Sequence, residues 1–260
     1  MVWSKHTQNF IHFLLPPAFW LGVWQIAAFL VEQWVEGRGN ELLLPYPATV
    51  FFALVRLAGE PLFWGTALTT LLRILAGMAG GTLLGGLLAG LTCASRWCDR
   101  LLSPAVRVIR ATPVASFILL VLLWTDRDFV PAIIAGLIVL PVVWGNLSRG
   151  IRETDPQLLE LASAYRFTRW KTLRLIYLPS LRPYFLSAVT TAMGLSWKSG
   201  VAAEVLCLPR SAIGTQIYNS KLYLEIPDLF AWTAVVVAFS LVLERLLLRA
   251  VQKWKGGEDA

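Results

Sequence analysis

The chain of 260 residues is 57% hydrophobic and only 15% charged, with a mean hydropathy of +0.62 and a formal net charge of +7. Soluble domains hold about 45–50% apolar and about 25% charged residues, and the apolar residues here fall in runs that match the roughly 20 residues needed to cross a hydrocarbon core, which excludes an ordinary soluble domain. Cys93, Cys98 and Cys207 show neither metal spacing nor an even disulfide framework, and the only histidines, His6 and His12, lie near the N-terminus, which argues against a histidine-based catalytic or metal centre.

The first expected span runs from Ile11 to Val31 and contains Pro16 and Pro17. Lys5 precedes it as in a signal peptide, but the apolar stretch exceeds the usual length of about 7–15 residues and no small-x-small cleavage pattern follows. The expectation is a retained helix, kinked near the prolines. A polar stretch over 32–40 leads to Leu44-Pro45-Tyr46-Pro47, and residues 48–57 suit a short helix at the membrane interface. Further spans are expected over 67–92, 104–124 and 129–147. A polar segment, 148–181, interrupts the pattern before spans over 182–205 and 229–248. With no internal repeat, the reading is one all-α transmembrane domain, 1–260, of about six helices.

Lys and Arg set the orientation. With the N-terminus inside, sixteen of them fall in cytoplasmic segments: Lys5, the group Arg96 to Arg110, the group Arg149 to Arg182, and Arg245, Arg249, Lys253 and Lys255. Five, namely Arg38, Arg56, Arg127, Arg210 and Lys221, fall outside. This is the positive-inside pattern for six spans with both ends cytoplasmic. The basic balance is therefore a topology signal, and nucleic acid is not an expected partner.

The segment 148–181 is the most informative. Asp155-Pro156 reads as an N-cap followed by proline at the first helical position. Leu158, Leu159, Leu161, Ala162 and Tyr165 then make a short amphipathic helix, and Thr168 caps a second helix that carries Trp170, Leu173, Leu175 and Ile176 towards Pro179. Such a pair is either a docking surface for a partner or an interfacial anchor to lipid.

Glu160-Leu161-Ala162, Arg166 and Ile176-Tyr177-Leu178-Pro179 resemble the EAA loop of binding-protein-dependent ABC importer permeases. Leu161 departs from that pattern's first alanine, and Arg166 from its glycine. Leu44-Pro45-Tyr46-Pro47, Arg110-Ala111-Thr112-Pro113, and Trp197 with Ala202-Ala203-Glu204 are similar to motifs of the nitrate/sulfonate/taurine permease group, in the same order. The resemblance implies a type I importer permease fold in a bacterial-type plasma membrane. It implies a homodimer of permeases, two cytoplasmic ABC ATPase subunits that use ATP and Mg, and an extracytoplasmic solute-binding protein. It makes Leu158, Leu159, Glu160, Leu161, Ala162, Tyr165 and Arg166 the coupling helix. Glu160 would offer a charge to the ATPase while Leu158, Leu159 and Ala162 fill its groove. The family's glycine permits a sharp turn, so Arg166 in a left-handed conformation would cost on the order of 1 kcal/mol. The chain has no G-x-x-x-x-G-K-[ST] phosphate loop, so the chain binds no cofactor in this reading, and the motor is another polypeptide.

Ionisable residues within spans are functional candidates by default. Arg73 can snorkel or pair with a neighbour. Lys198 and Glu204, with Trp197, belong either to the translocation path or gate, or to a structural ion pair, and Gly200 could unwind the backbone between them. Arg110, Thr112 and Pro113 join the path candidates. A lysine on the path suits an anion such as a sulfonate or nitrate. Gly77, Gly81 and Gly85 let helix backbones approach, within the subunit or between copies. Tryptophans near the predicted span ends form an aromatic belt at the lipid interface. An ion-gradient-driven transporter is the alternative, but it would need midplane carboxylates and repeated halves. A membrane-embedded enzyme would need clustered His, Asp, Glu or Cys.

Overall fold

Runs of leucine, isoleucine, valine and alanine with few breaking residues favour helix, and in a hydrocarbon environment only a helix satisfies each backbone amide within its own segment. The computed structural model describes residues 5–35 and 42–256, and among these there are helices and no strands. Arg38, and the side chains of Lys5, His6, His12, Lys253 and Lys255, lie outside the described residues. The helices are α1 (Lys5–Trp34), α2 (Pro47–Ala58), α3 (Pro61–Ala94), α4 (Arg96–Ala111), α5 (Val114–Trp124), α6 (Val130–Arg152), α7 (Pro156–Ala164), the four-residue α8 (Arg169–Thr172), α9 (Leu178–Cys207), α10 (Ile213–Leu222) and α11 (Ile226–Gly256). A π-helical turn, Leu173–Tyr177, joins α8 to α9.

Four segments are long and apolar enough to cross a membrane: Leu15–Trp34, Pro61–Ala94, Val130–Arg152 and Ile226–Arg249. The expected continuous span 104–124 is corrected. It is a pair, α4 and α5, bent by 109° at Thr112-Pro113, and it makes a fifth span only if the two are taken together. Proline forces the residue before it away from helical geometry, and Thr112 is extended at φ −77°, ψ 132°. Helix α5 has 11 residues, about 16 Å, which is too short to span alone. The expected span 182–205 lies within α9, whose 30 residues suffice in length. Arg182, Lys198, Glu204 and several serines and threonines make it too polar to count with the other four. A helix packed against protein needs apolar residues only where it meets lipid.

The chain forms two compact units. In the first, residues up to Gly65 with Gln216–Val235, α2 buries Val50, Ala53 and Leu57 on one face. Trp24 stacks on Phe230, Phe63 packs against Trp232, and Arg56 forms an ion pair with Asp228. In the second unit, Thr66–Thr215 with the chain from Val236 on, α6 is the central element. One of its faces meets α3 through Gly77, Gly81 and Gly85. A Cβ added at these positions would lie 2.0 Å, 2.3 Å and 2.7 Å from the carbonyl oxygens of Ala132, Gly136 and Leu140. The glycine stripe thus packs within the subunit. Val139 and Val143 of α6 also join Met78 of α3 with Ala188 and Ala192 of α9. Val130 and Ile134 join Ile118 and Val121 of α5 with Ala203 and Cys207 of α9.

A Gly81→Leu substitution drives a side chain into backbone that cannot yield, and overpacking costs about 1–3 kcal/mol or more. Thermal melting of the purified protein in detergent should fall by several degrees. Gly80→Ala, where the new methyl meets nothing, should melt at or above the wild-type temperature. Equal melting of wild type and Gly81→Leu would contradict the close approach of α3 and α6.

Candidate functional site

Three features of the second unit concentrate polar groups in an otherwise apolar protein. The first is the segment after α6. The Asp155 carboxylate accepts from Gln157 N–H at 2.8 Å, and Pro156 occupies the first turn of α7. The Thr168 hydroxyl accepts from Lys171 N–H at 3.3 Å. Between the two helices, Phe167 N–H donates to the Ala162 carbonyl (2.8 Å) and Arg166 N–H to the Ser163 carbonyl (3.0 Å). This is a Schellman turn, with Arg166 at φ 53° in the left-handed position that glycine usually holds. Leu158, Glu160, Leu161, Tyr165 and Arg166 are exposed and Leu159 is half-buried. Ala162 is only 4% exposed, which corrects its expected place in a partner's groove. It packs α7 onto its own chain, while Leu161, at the position of the usual first alanine, faces outward.

The second feature is a buried cluster on α9. The Glu204 carboxylate, fully buried, accepts from Arg73 at 2.9 Å, from the Thr70 hydroxyl at 3.0 Å and from Gly214 N–H at 3.1 Å. The Thr70 hydroxyl also accepts from Ile213 N–H, and Arg73 donates to the Arg210 carbonyl. Glu204 therefore pairs with Arg73 and not with Lys198. Gly200 does not unwind α9: the helix is continuous there, and a Cβ on Gly200 would lie 2.6 Å from the Ile74 side chain. Trp197 is also buried, donating its indole N–H to the Val236 carbonyl at 3.0 Å and stacking on Phe239.

The third feature is a cavity of about 560 Å³ between α4, α5, α6 and α9, within the roughly 300–1,000 Å³ of small-molecule sites. Arg110 and Thr112 line it, and Pro113 makes the bend beside it. Trp197 and Glu204 do not line it. Lys198 is exposed on the helical face of α9 that also carries Thr191 and Leu195, which do. Asn146, Arg149 and Thr191 are cavity residues that sequence reasoning missed. Asn146, a polar residue inside the expected span 129–147, was a signal for the first. For Thr191, the signal was its place two turns before Lys198. No group of His, Cys, Asp and Glu among the described residues could hold a metal ion.

Long apolar helices, a short amphipathic pair outside them and a polar cavity within define a multi-pass membrane transport protein. The sequence matches the family described as binding-protein-dependent transport system inner membrane component over residues 81–255, more than half of the chain, and the chain belongs to that family. It is similar to the putative aliphatic sulfonates transport permease protein SsuC of Bacillus subtilis, at 28% identity over 95% of this chain and 88% of the relative. It is similar to the bicarbonate transport system permease protein CmpB of Synechococcus elongatus, at 27% identity over 96% and 92%. In fold it is similar to a bacterial ABC transporter involved in the import of the acidic polysaccharide alginate, with a TM-score of 0.64 at 17% identity over 96% of both chains. The chain is thus the transmembrane permease subunit of an ATP-driven (ABC) importer in a bacterial plasma membrane, and it is not an enzyme. Family membership sets aside the ion-gradient-driven alternative and implies ATPase and solute-binding subunits as partners.

Removing one partner of a buried ion pair strands the other, at a cost of about 3–5 kcal/mol. Glu204→Leu should therefore sharply lower the melting temperature. Adding Arg73→Leu to it should recover part of the loss, because the stranded guanidinium is gone. A double variant whose losses simply add would show that the two side chains do not act as a pair.

Proposed function

We propose that this permease works as a homodimer, with two cytoplasmic ATPase subunits docked on the two copies of α7 and an extracytoplasmic binding protein delivering solute from the other side. Both termini are cytoplasmic, and residues 1–260 act as a single permease domain in contact with membrane lipid. Each copy presents Leu158, Leu159, Glu160, Leu161, Tyr165 and Arg166, with Ala162 as the internal anchor of the same helix. ATP and Mg are handled by the ATPase, and this chain binds no cofactor. Nucleotide-driven closure of the ATPases pulls on α7, and the pull passes to the transmembrane helices through α6 and through the π turn into α9. The cavity then alternates its access between the two sides. The solute is small, and an anion such as a sulfonate or nitrate is the class to test first, since sulfonates and bicarbonate are named for similar permeases. Arg110, Thr112 and Pro113 belong to the path at the α4–α5 bend. Lys198 is its continuation along α9, and Trp197 and Glu204 are the supports behind it.

The observation that carries the docking role is the exposed apolar face of α7. Leu158, Leu161 and Tyr165 are 41%, 51% and 71% exposed, on a helix fixed at both ends by an Asx cap and a Schellman turn. Unpaired apolar surface on a rigid, capped helix fits helix-in-groove recognition.

Purification from native membranes in mild detergent with nucleotide present should recover an ATPase at about one copy per permease. Glu160→Arg should reduce that recovery more than tenfold, since a hot-spot change costs about 2 kcal/mol or more. Recovery of the permease alone, or an ATPase retained equally by the variant, would reject α7 as the docking helix.

A further inference from the structure

Two cavities in the second unit share a wall. The larger, about 560 Å³, holds Arg110, Thr112, Asn146, Arg149 and Thr191 among aliphatic side chains. The smaller, about 340 Å³, holds Asp99, Arg107, Ser148, Arg152 and Glu153. Gly145 and Arg149 of α6 belong to both.

The two chambers differ in charge. The larger presents two guanidiniums and no carboxylate among its described lining residues, and neither arginine has an ion-pair partner among the described residues. In the smaller, Arg152 faces the Asp99 carboxylate at 3.8 Å, which also accepts from the Ser103 hydroxyl. There too, Glu153 accepts from the Tyr184 hydroxyl. Its three arginines are thus opposed by two carboxylates, whereas the larger chamber has two arginines and none. The Ser148 hydroxyl, buried in the smaller chamber's wall, has no hydrogen-bond partner. A Cβ added to Gly145 would meet nothing within 4 Å, so the space in front of this wall residue is free.

Resting on the importer reading and on its anion class, we propose that Arg110 and Arg149 form an anion-binding station. From it the anion passes Gly145 into the chamber of Arg107 and Arg152. Guanidinium forks match the oxygens of a sulfonate, nitrate or carboxylate, and two exposed guanidiniums with no carboxylate between them attract such a group. The next chamber holds the anion less firmly, because Asp99 and Glu153 offset two of its three positive charges. A path needs binding strong enough to admit a solute and weak enough to release it, and a fall in net charge from one chamber to the next provides both. The smaller chamber lies at the end of α6 that leads into α7, the cytoplasmic end in the proposed orientation.

The test uses the full-length permease in nanodiscs of zwitterionic lipid, with radiolabelled methanesulfonate as the probe and nitrate as competitor. Arg110→Gln and Arg149→Gln should each weaken binding about tenfold or more. Arg149→Lys should recover part of the loss, and Arg127→Gln, an exposed arginine outside both chambers, should bind as wild type. After reconstitution with the ATPase and binding protein, Gly145→Phe should lower uptake far more than it lowers probe binding. Unchanged binding in both glutamine variants, or no displaceable binding to wild type, would overturn the station. So would phosphatidylglycerol retained through Arg149 in place of the probe, which would make the cavity a lipid site. Probe binding by these arginines in a permease that recruits no ATPase would support the station and count against the docking role of α7 alone.

Discussion

The contact on which the rest of the second unit depends is the approach of α3 to α6 through Gly77, Gly81 and Gly85. Within a bilayer, lipid tails are as apolar as side chains, so helices gain little by hiding leucine from their surroundings. They associate by close packing and by the polar contacts that closeness permits. Three glycines on one face bring backbone against backbone, and α6 is held there while Ala188 and Ala192 of α9 pack beside the same seam against Val139 and Val143. A helix fixed along that seam can present another face without yielding. That face carries Gly145, Asn146 and Arg149, and its end continues directly into the cap of α7.

The Glu204 cluster performs a similar service at the far end of α9. A carboxylate without water needs every lone pair occupied, and Arg73, Thr70 and Gly214 supply the donors. Those donors come from α3 and from the start of α10, so one side chain ties together three stretches of chain. The turn between α9 and α10 places Leu208 and Ser211 at positive φ, each costing about 1–2 kcal/mol. The hydrogen bonds from Ile213, Gly214 and Arg73 around it offset that strain. Ionisable residues in an apolar protein are thus of two kinds here: Glu204 and Arg73 hold helices together, whereas Arg110 and Arg149 face open volume.

Hydropathy made α1, α3, α6 and α11 legible because each is one long apolar run, and Asp155-Pro156 and Thr168 located α7 and α8 because caps are local chemistry. The bend at Thr112-Pro113 was hidden because proline also tolerates the first turn of a helix, and only packing decides between a break and a start. Glu204 and Arg73 were each singled out by charge, but their pairing was not. Arg73 lies 131 residues away, and no periodicity links residues on different helices. Arg149 was read as a topology signal because positive charge at a span end is common, and the cavity that gives it another use is a property of four helices at once.

Arg166 completes a turn that glycine would complete without strain, and its exposed side chain stands at the edge of the face that α7 offers. Where glycine would leave bare backbone, the left-handed arginine sets a solvated guanidinium, so any surface that approached α7 from this corner would meet a bulky positive charge first. The turn thus carries about 1 kcal/mol of local strain together with a cation at the exposed edge of the helix.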